Sequence, residues 1–475
     1  MELLEKLADY TATDVCPMHM PGHKRRNMGG GLPWQLDITE IDGFDNLHDA
    51  QGVLKDGMER AARLYGSRRA FFLVGGSTCG ILAGICAATR PGDTVLLPRG
   101  CHKSVYHALE LRDLKPVYLP VPMDDGFGVA GSLRPETVAA ALEAHPEAKL
   151  VIVTSPTYEG VVSDVAAITA LAHQAGVPVL VDEAHGAHLG LAPWLPAGAV
   201  AAGADLVIQS AHKTLPSLTQ TALAHWNSDL VPAEELARQL AIFETSSPSY
   251  LLMGALDHCY ALLEAQGAAL WESYRRNLEG FDRRVEALRH LRVLCHGEDP
   301  AASHPDFFAF DPGKIVISTR GTNLTGPELI DLLRQRYHIE LEMAQADYAL
   351  AMTSLCDTAG TLGRLADALL EIDGTLCAKT GRYSVPQSPL PRPRMSISAA
   401  RTAEGVLLPA ERAVGAVCGE MVWAYPPGIP LLAPGEEITP QVLEALRAMA
   451  ERGVALHAER SCPPQTLWAV KNIEG

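Results

Sequence analysis

The stretch Ala204–Gln220, ADLVIQSAHKTLPSLTQ, decides how the fold and the chemistry of this chain are interpreted. Leu206, Val207 and Ile208 predict a short buried strand, and Ser-Ala-His-Lys follows it, so that Lys213 falls at the strand's carboxyl end. Open α/β sheets present their ligand sites at that edge. A lysine there suits imine formation with an aldehyde cofactor, because a partly buried site favours the uncharged amine.

A second strand end carries a carboxylate. Val179–Val181 in the segment VPVLVDEAHGAHLG predicts a buried parallel strand, and Asp182 ends it 31 residues before Lys213. Pyridoxal phosphate needs a carboxylate beside its protonated pyridine nitrogen to act as an electron sink. Asp182 could instead cap the following turn, but an aspartate and a lysine ending successive strands favour a cofactor site.

A third segment has the pattern strand, glycines, hydroxyls, helix. Phe71–Gly80 reads FFLVGGSTCG and precedes the apolar helix Ile81–Ala88. Glycines let backbone N–H groups approach a phosphate, and Ser77 and Thr78 add hydroxyl donors at the start of the helix. A simple N-cap by either residue explains the motif equally well when it is taken alone.

The wider pattern predicts an α/β protein with a mostly parallel sheet. Strand-like and helix-like segments alternate from about residue 60 to 224, Leu251–Leu291 predicts one long helix, and a second α/β unit follows. We predict an N-terminal arm (1–60), a large domain (61–295) and one or more small C-terminal domains (296–475). Within the last part, Ile339–Met343 predicts a strand, Lys379–Pro393 a linker or ordered loop, and Glu411–Val422 a helix.

Composition agrees with a large cytoplasmic enzyme. Of 475 residues 47% are hydrophobic and 20% are charged, which excludes a disordered or coiled-coil chain, and the formal charge of −17 argues against general nucleic-acid or anionic-membrane binding. No membrane-spanning run and no signal core are present. The ten cysteines are scattered singly, as free thiols in a reducing compartment would be. The histidines do not have metal-ligand spacing, so we expect no metal site.

The order of the motifs resembles the ornithine/lysine/arginine decarboxylase family in its short form, a group of fold-type-I pyridoxal-phosphate enzymes. The longer members of that family carry an additional N-terminal wing, which we expect this chain to lack. The resemblance covers the chain nearly end to end and rests on MPGHK (Met20–Lys24), DITEIDGFDNLHDAQG (Asp37–Gly52), GGSTCG (Gly75–Gly80), RGCHKSVYHAL (Arg99–Leu109), TSPTYEGVVSD (Thr154–Asp164), VDEAHGAH (Val181–His188), SAHKTLPSLTQTA (Ser210–Ala222), TSSPSYLLMGALD (Thr245–Asp257) and AYPPGIPLLAPGEEIT (Ala424–Thr439).

The resemblance implies an aspartate-aminotransferase-like large domain, and it implies roles for individual residues. Lys213 corresponds to the cofactor lysine and Asp182 to the partner of the pyridine nitrogen. His102 corresponds to the residue that stacks on the cofactor ring, although without the resemblance it would be a surface loop histidine. His185 stands at a ring-side position where the inducible enzymes have tryptophan; a helix N-cap or a core hydrogen bond is an equal alternative.

Four further residues match the phosphate ligands of the family, and two match its substrate site. The phosphate candidates are Ser77, Thr78, Ser210 and His212. The substrate candidates are Tyr158 and Glu420; a surface carboxylate on the predicted helix is an equal interpretation of Glu420.

The implied activity is decarboxylation of a basic amino acid for polyamine synthesis, with arginine first and lysine or ornithine next. The resemblance also implies a homodimer or higher homo-oligomer in which Thr245–Tyr250 lies near a neighbour's cofactor. SISAARTAEG (Ser396–Gly405) departs from the family pattern and bears on substrate identity. Two alternatives remain, namely another fold-type-I reaction such as transamination or β-elimination, and a non-catalytic homologue that binds amines.

Overall fold

The structure is a computed structural model of the 475-residue chain, and it describes residues 2–294, 300–378, 392–424 and 429–471. Most of the predicted linker Lys379–Pro393 lies outside the described residues. The helices are α1 (Leu3–Thr11), α2 (Val53–Tyr65), α3 (Gly76–Ala88), α4 (Lys103–Leu111), α5 (Pro135–Ala144), α6 (Val165–Gln174), α7 (Ala211–Thr214), α8 (Ala233–Phe243), α9 (Tyr250–Val285), α10 (Pro300–Ser303), α11 (Gly326–Tyr337), α12 (Ala359–Asp373), α13 (Ile397–Thr402) and α14 (Pro440–Glu451).

The strands are mostly short and are joined by these helices. They are β1 (Arg69–Leu73), β2 (Thr94–Pro98), β3 (Lys115–Leu119), β4 (Met123–Asp124), β5 (Val129–Ala130), β6 (Ala148–Thr154), β7 (Val161–Val162), β8 (Val179–Asp182), β9 (Leu206–Gln209), β10 (Ala222–Trp226), β11 (Arg292–Val293), β12 (Ala309–Phe310), β13 (Lys314–Ser318), β14 (Met343–Gln345), β15 (Tyr348–Met352), β16 (Gly405–Pro409), β17 (Val422–Ala424), β18 (Ile429–Leu432), β19 (Leu456–Ala458) and β20 (Thr466–Val470).

The first compact unit comprises Met1–Ala88, Val165–Tyr274 and Ser354–Cys356. Its strands lie in the order β1-β10-β9-β8; β8 and β9 are parallel, and the other pairs are antiparallel. Both β8 and β9 are buried along their whole length. As expected for a parallel strand covered on both faces, each is a nearly continuous apolar run.

Helix α3 packs closely on these strands because glycines face them. A Cβ built on Gly80 would lie 2.7 Å from a Leu73 methyl group and 2.8 Å from Ile208, and one built on Gly84 would lie 2.7 Å from Leu180. Such contacts are far inside van der Waals distance, so larger residues would push the helix away. The glycines therefore fix the distance between α3 and the strands that carry the candidate site.

The second unit comprises Thr89–Asp164, Arg275–Thr353 and Asp357–Gly475. Within it β6, β2 and β3 form a parallel set, and β11, β13, β15 and β14 form an antiparallel sheet. The C-terminal part adds the pair β16–β20 and the sheet β18-β17-β19, packed on α14 around a separate apolar core. The expected α/β architecture with a smaller C-terminal α/β domain is confirmed.

Three predicted elements differ from the observed ones. The long helix ends at Val285 and not at Leu291. The predicted strand Ile339–Met343 is wrong, because His338 adopts the left-handed conformation at the end of α11 and the strand β14 begins only at Met343. The predicted helix Glu411–Val422 is also wrong; only a short 3-10 turn, Ala410–Arg412, is present there.

The failure at Glu411–Val422 has a physical cause. Gly415 has φ +84°, which a helix does not accept, and Val417 and Cys418 form bridges to Glu437 and Ala469. The periodic apolar residues of this stretch therefore serve long-range β pairing, which local sequence does not specify.

Among the residues that the structure describes, no helix combines the length and the apolar character needed to cross a lipid bilayer.

Candidate active site

Lys213 lies in α7, a single helical turn that follows β9 directly. The prediction placed it at a strand end; the structure adds this turn between the strand and the lysine. Its Nζ is 2.9 Å from Nε2 of His185, and the pair is partly buried. The lysine amine and the imidazole can therefore share or exchange a proton.

Asp182 is the last residue of β8, and it is 5% exposed. It is paired in register with Ile208 of the parallel strand β9, and its Oδ1 accepts a hydrogen bond of 3.1 Å from the Ala184 N–H. Burial raises the pKa of Asp182, and the positive charge of Lys213 opposes that rise. Asp182 thus caps the following turn, as one interpretation held, while it also interacts electrostatically with Lys213.

His185 is buried in the turns that follow Asp182 and starts no helix. Its ring nitrogen bonds the Lys213 side chain. Of the alternatives left open by the sequence, the N-cap is wrong. The structure places His185 beside the candidate catalytic lysine.

The glycine-hydroxyl segment begins α3. Gly76 adopts φ +73°, the left-handed conformation that suits glycine, and it turns the chain from β1 into the helix. Ser77 is half-buried and Thr78 is exposed in the first helical turn. The N–H groups of a first turn have no partner within the helix, and the helix dipole favours an anion there. The segment can therefore bind a phosphate.

Ser210 and His212 flank Lys213 on either side of the strand-to-helix junction. Ser210 Oγ is fully buried and has no hydrogen-bond partner among the described residues. Nδ1 of His212 is 2.8 Å from the carbonyl oxygen of Thr221 and must donate to it. Burial lowers the pKa of His212, so the neutral ring leaves its Nε2 without a proton.

His102 belongs to the second unit, where it is the N-cap of α4. Its Nδ1 accepts from the Ser104 N–H at 3.2 Å and also bonds Ser104 Oγ at 2.9 Å. Because Nδ1 acts as acceptor, the neutral ring carries its proton on Nε2. The cap holds the imidazole at the end of the loop that follows β2.

Of the two substrate candidates, Tyr158 is half-buried and its hydroxyl donates to Glu342. Glu420 is fully buried in the C-terminal part, with its Oε2 2.8 Å from the Arg460 N–H and its Oε1 2.8 Å from the Trp468 N–H. Both the predicted helix and the surface position of Glu420 are wrong. These hydrogen bonds occupy both oxygens of the Glu420 carboxylate and stabilise the C-terminal part. The structure therefore does not favour a substrate role for Glu420.

Sequence reasoning missed two carboxylates near these groups, the half-buried Glu244 and the buried Glu183. Glu244, at the end of α8, accepts hydrogen bonds from the Val74 N–H at 2.7 Å and the Gly75 N–H at 3.2 Å, next to the glycine-hydroxyl segment. Glu183 bonds Gln209 at the ends of β8 and β9. The sequence signal for Glu183 was its position in a pair of acidic residues, Asp182 and Glu183, directly after the apolar run Val179–Val181.

Comparison with solved structures shows the fold-type-I α/β fold. A lysine decarboxylase of Francisella novicida has 19% identity and a TM-score of 0.80, covering 99% of this chain and 81% of that one. A ureidoglycine-glyoxylate aminotransferase of Bacillus subtilis has 16% identity and a TM-score of 0.55, covering 68% of this chain and 84% of that one. At these identities the likeness concerns the fold.

Sequence comparison then identifies the family. The model of the Orn/Lys/Arg decarboxylase major domain matches residues 3–323, and that of the family's C-terminal domain matches residues 379–455. An arginine decarboxylase of Bacillus anthracis is 31% identical over 483 aligned positions, which cover 99% of this chain and 97% of the relative. The chain belongs to the Orn/Lys/Arg decarboxylase family, and the expectation of a decarboxylase is confirmed.

Proposed function

We propose that this enzyme uses pyridoxal 5'-phosphate to decarboxylate arginine to its amine. The observation that carries the proposal is the placement of Lys213 and Asp182. Asp182 ends β8 and Lys213 lies in the turn after the adjacent parallel strand β9. Asp182 is buried, Lys213 is half-buried, and the charge of the lysine acts on the carboxylate. This is the pair of groups that a pyridine aldehyde cofactor needs.

The residues of the first unit fit this cofactor. Lys213 would bind its aldehyde carbon, and Asp182 would bind its ring nitrogen. The hydroxyl of the buried Ser210, which no described residue bonds, and the first turn of α3, with Ser77 and Thr78, would receive the phosphate.

Two histidines complete the proposed cofactor site. His212 would donate to the phosphate through Nε2, which requires that nitrogen to take up a proton, because Nδ1 already donates to Thr221. His102 is proposed as the flat cover of the cofactor ring.

When bound, the cofactor supplies an electron sink for the pair of electrons left by the departing carboxylate. Asp182 would keep the ring nitrogen of that cofactor protonated. Lys213 and His185, 2.9 Å apart, hold the proton that replaces CO₂ on the substrate carbon. The balance is one amino acid and one proton consumed for one amine and one CO₂ released.

The choice of arginine rests on the similarity to the Bacillus anthracis arginine decarboxylase along nearly the whole chain. Lysine and ornithine are the next candidates. Tyr158 remains a proposed contact of the substrate. We propose that the amine product serves polyamine synthesis in the cytoplasm; the nine cysteines among the described residues are all free thiols, as a reducing compartment allows.

The proposal is tested by supplying cofactor-loaded enzyme with arginine, lysine and ornithine separately and measuring CO₂, amine and keto acid. We expect CO₂ and amine in equal amounts, fastest with arginine. Lys213→Ala should lose both turnover and the absorbance of bound cofactor, while Lys149→Ala, which removes an exposed lysine, should retain both. Keto acid without CO₂ would identify an aminotransferase, and absence of any cofactor absorbance would identify a non-catalytic homologue.

A further inference from the structure

A buried chain of hydrogen bonds runs behind the candidate site in the first unit. Glu183 Oε1 accepts from the Ala199 N–H at 2.7 Å, and Glu183 Oε2 accepts from Gln209 Nε2 at 2.7 Å. Gln209 Oε1 lies 3.0 Å from His225 Nε2, and His225 Nδ1 lies 3.0 Å from Ser67 Oγ. Glu183, Gln209 and His225 are each at most 1% exposed.

The direction of these hydrogen bonds follows from the charge of Glu183. When the carboxylate is ionised both of its oxygens accept, so the Gln209 amide nitrogen faces it and the Gln209 oxygen faces His225. The ring therefore donates through Nε2 and accepts at Nδ1 from the Ser67 hydroxyl. Burial lowers the pKa of His225 to about 3, which keeps the ring neutral with its single proton.

The chain joins the two strand ends that carry the proposed cofactor groups. Glu183 directly follows Asp182, and Gln209 is the last residue of β9, immediately before the turn that holds Lys213. The Glu183 N–H also bonds the Ile208 carbonyl oxygen at 2.9 Å. In addition to that backbone contact, the 2.7 Å side-chain hydrogen bond between Glu183 and Gln209 joins the residue after Asp182 to the strand end before Lys213.

We propose that Glu183 and Gln209 are positioning residues, whose mutual hydrogen bond sets the spacing between Asp182 and Lys213. The inference rests on the function proposed above. Catalytic groups must be held to a fraction of an ångström by the shell behind them. A shift of one strand end against the other would move the carboxylate relative to the lysine without removing either group.

The test compares polar and apolar replacements of the same size. In Glu183→Gln the new amide can donate to Gln209 if the Gln209 amide turns over and His225 changes tautomer, because the Ser67 hydroxyl can also accept. The link therefore survives with its direction reversed. Glu183→Met and Gln209→Met fill the same space and cannot form it.

The matched control lies at the amino ends of the same two strands. Asp205 accepts from the Val179 N–H at 2.8 Å and from the Ser228 hydroxyl. Ser228→Ala thus breaks a buried hydrogen bond at the end of β8 and β9 that is remote from Asp182 and Lys213. The Ser228→Ala variant therefore shows how a loss of stability alone affects kcat and the titration midpoint.

The measurements are kcat, KM and the midpoint of the pH titration of the bound cofactor's absorbance, made on cofactor-loaded enzyme. For both Met variants we expect kcat to fall by at least about tenfold, with KM changed less, and the midpoint to move. Glu183→Gln and Ser228→Ala should keep the wild-type midpoint and kcat within about threefold, although Ser228→Ala lowers the melting temperature.

Met variants that retain the wild-type midpoint and kcat would overturn the proposal. So would a Glu183→Gln variant as impaired as Glu183→Met, because the charge of Glu183 and not its hydrogen bond would then matter. If Glu183→Met does not fold, Gln209→Met decides the same question. A wild-type enzyme that releases no CO₂ from any basic amino acid would contradict the proposed function alone, since the absorbance titration still reports positioning.

Discussion

At the scale of single residues, Asp182 is under two opposing influences. Burial raises its pKa, and the nearby Lys213 lowers it. A cationic pyridine nitrogen at the carboxylate would reinforce the second influence and favour the charged form. Burial therefore makes ionisation of this carboxylate costly, and a bound cofactor would relieve that cost.

Asp182→Asn is expected to bind the cofactor but to lose most turnover, by at least about a hundredfold, because a neutral amide cannot keep the ring nitrogen protonated. Steady-state kinetics and cofactor absorbance measure the two effects separately. Asp229→Asn, which changes an exposed carboxylate paired with Arg68, serves as control and should match the wild type. Near-normal turnover of Asp182→Asn would refute the assigned role.

Glu183 gives a prediction for the pH dependence of stability. Burial raises its pKa from 4.5 to about 8, so the folded protein binds this proton more tightly than the unfolded chain does. The tighter binding of this proton stabilises the folded protein. Its full contribution to the free energy of unfolding is present below about pH 4.5 and is lost as the pH rises towards 8. Relative to Glu183→Gln, the wild type should lose on the order of 1–4 kcal/mol of unfolding free energy across that window.

Urea unfolding at several pH values measures this difference, and the comparison cancels the titration of other carboxyl groups. Parallel pH profiles for the two proteins would show that Glu183 is not the titrating group.

The sequence predicted some of these residues and missed others for a physical reason. Asp182 and Lys213 follow apolar runs, and parallel strands bring their carboxyl ends to one edge. The link between Glu183 and Gln209 depends instead on strand neighbours and on which side chains face each other. That information appears only once β8, β9 and β10 are placed side by side.

At the scale of elements, the loop around Glu420 is organised by its carboxylate. The donors are the N–H groups of Arg460, Ser461 and Trp468 together with the Ser461 hydroxyl. These donors belong to the turn before β20 and to β20 itself. One carboxylate thus attaches the chain ahead of β17 to the last strand described.

Glu420→Ala should lower the free energy of unfolding by at least about 3 kcal/mol, because it leaves several buried donors without an acceptor. Thermal and urea unfolding measure the loss; Glu444→Ala, at an exposed position of α14, should change it by less than about 0.5 kcal/mol. The KM for the amino acid should stay within about twofold in the folded variant. A large rise in KM with unchanged stability would restore the substrate role.

Elements with a continuous apolar run were predicted well at this scale. The predicted strands Val179–Val181 and Leu206–Ile208 lie within β8 and β9, and the predicted helix Ile81–Ala88 lies within α3. The segments that failed, Ile339–Met343 and Glu411–Val422, are those whose conformation depends on a left-handed residue or on distant β partners.

At the scale of the whole molecule, we propose a homodimer whose sites include Thr245–Tyr250 from a neighbour. That segment is anchored in its own unit, since Tyr250 donates to the Asp45 carbonyl oxygen at 2.6 Å and His48 bonds the Thr245 carbonyl oxygen at 3.1 Å. Residues 245–247 are exposed between these anchors. A rigidly held, exposed loop is suited to contribute to a second subunit's site.

Mixing Lys213→Ala with Ser246→Arg, each inactive alone, should restore activity through hybrid dimers. Random pairing predicts about a quarter of the wild-type activity, because half of the dimers are hybrids and each has one intact site. Full activity of a monomer at high dilution, checked by sedimentation, would contradict the composite site.

The pairing of β1 with β10 has a consequence for the biosynthesis of the protein. Phe71 and Phe72 of β1 are opposite Ala224 and Leu223, about 150 positions further along the chain. A ribosome adding about 5–20 residues per second needs roughly 8–30 s to make that partner strand. During this interval the backbone N–H and C=O groups of β1 have no strand partner, and its two phenylalanines are not yet buried. We therefore expect β1 to be a binding site for chaperones on the nascent chain.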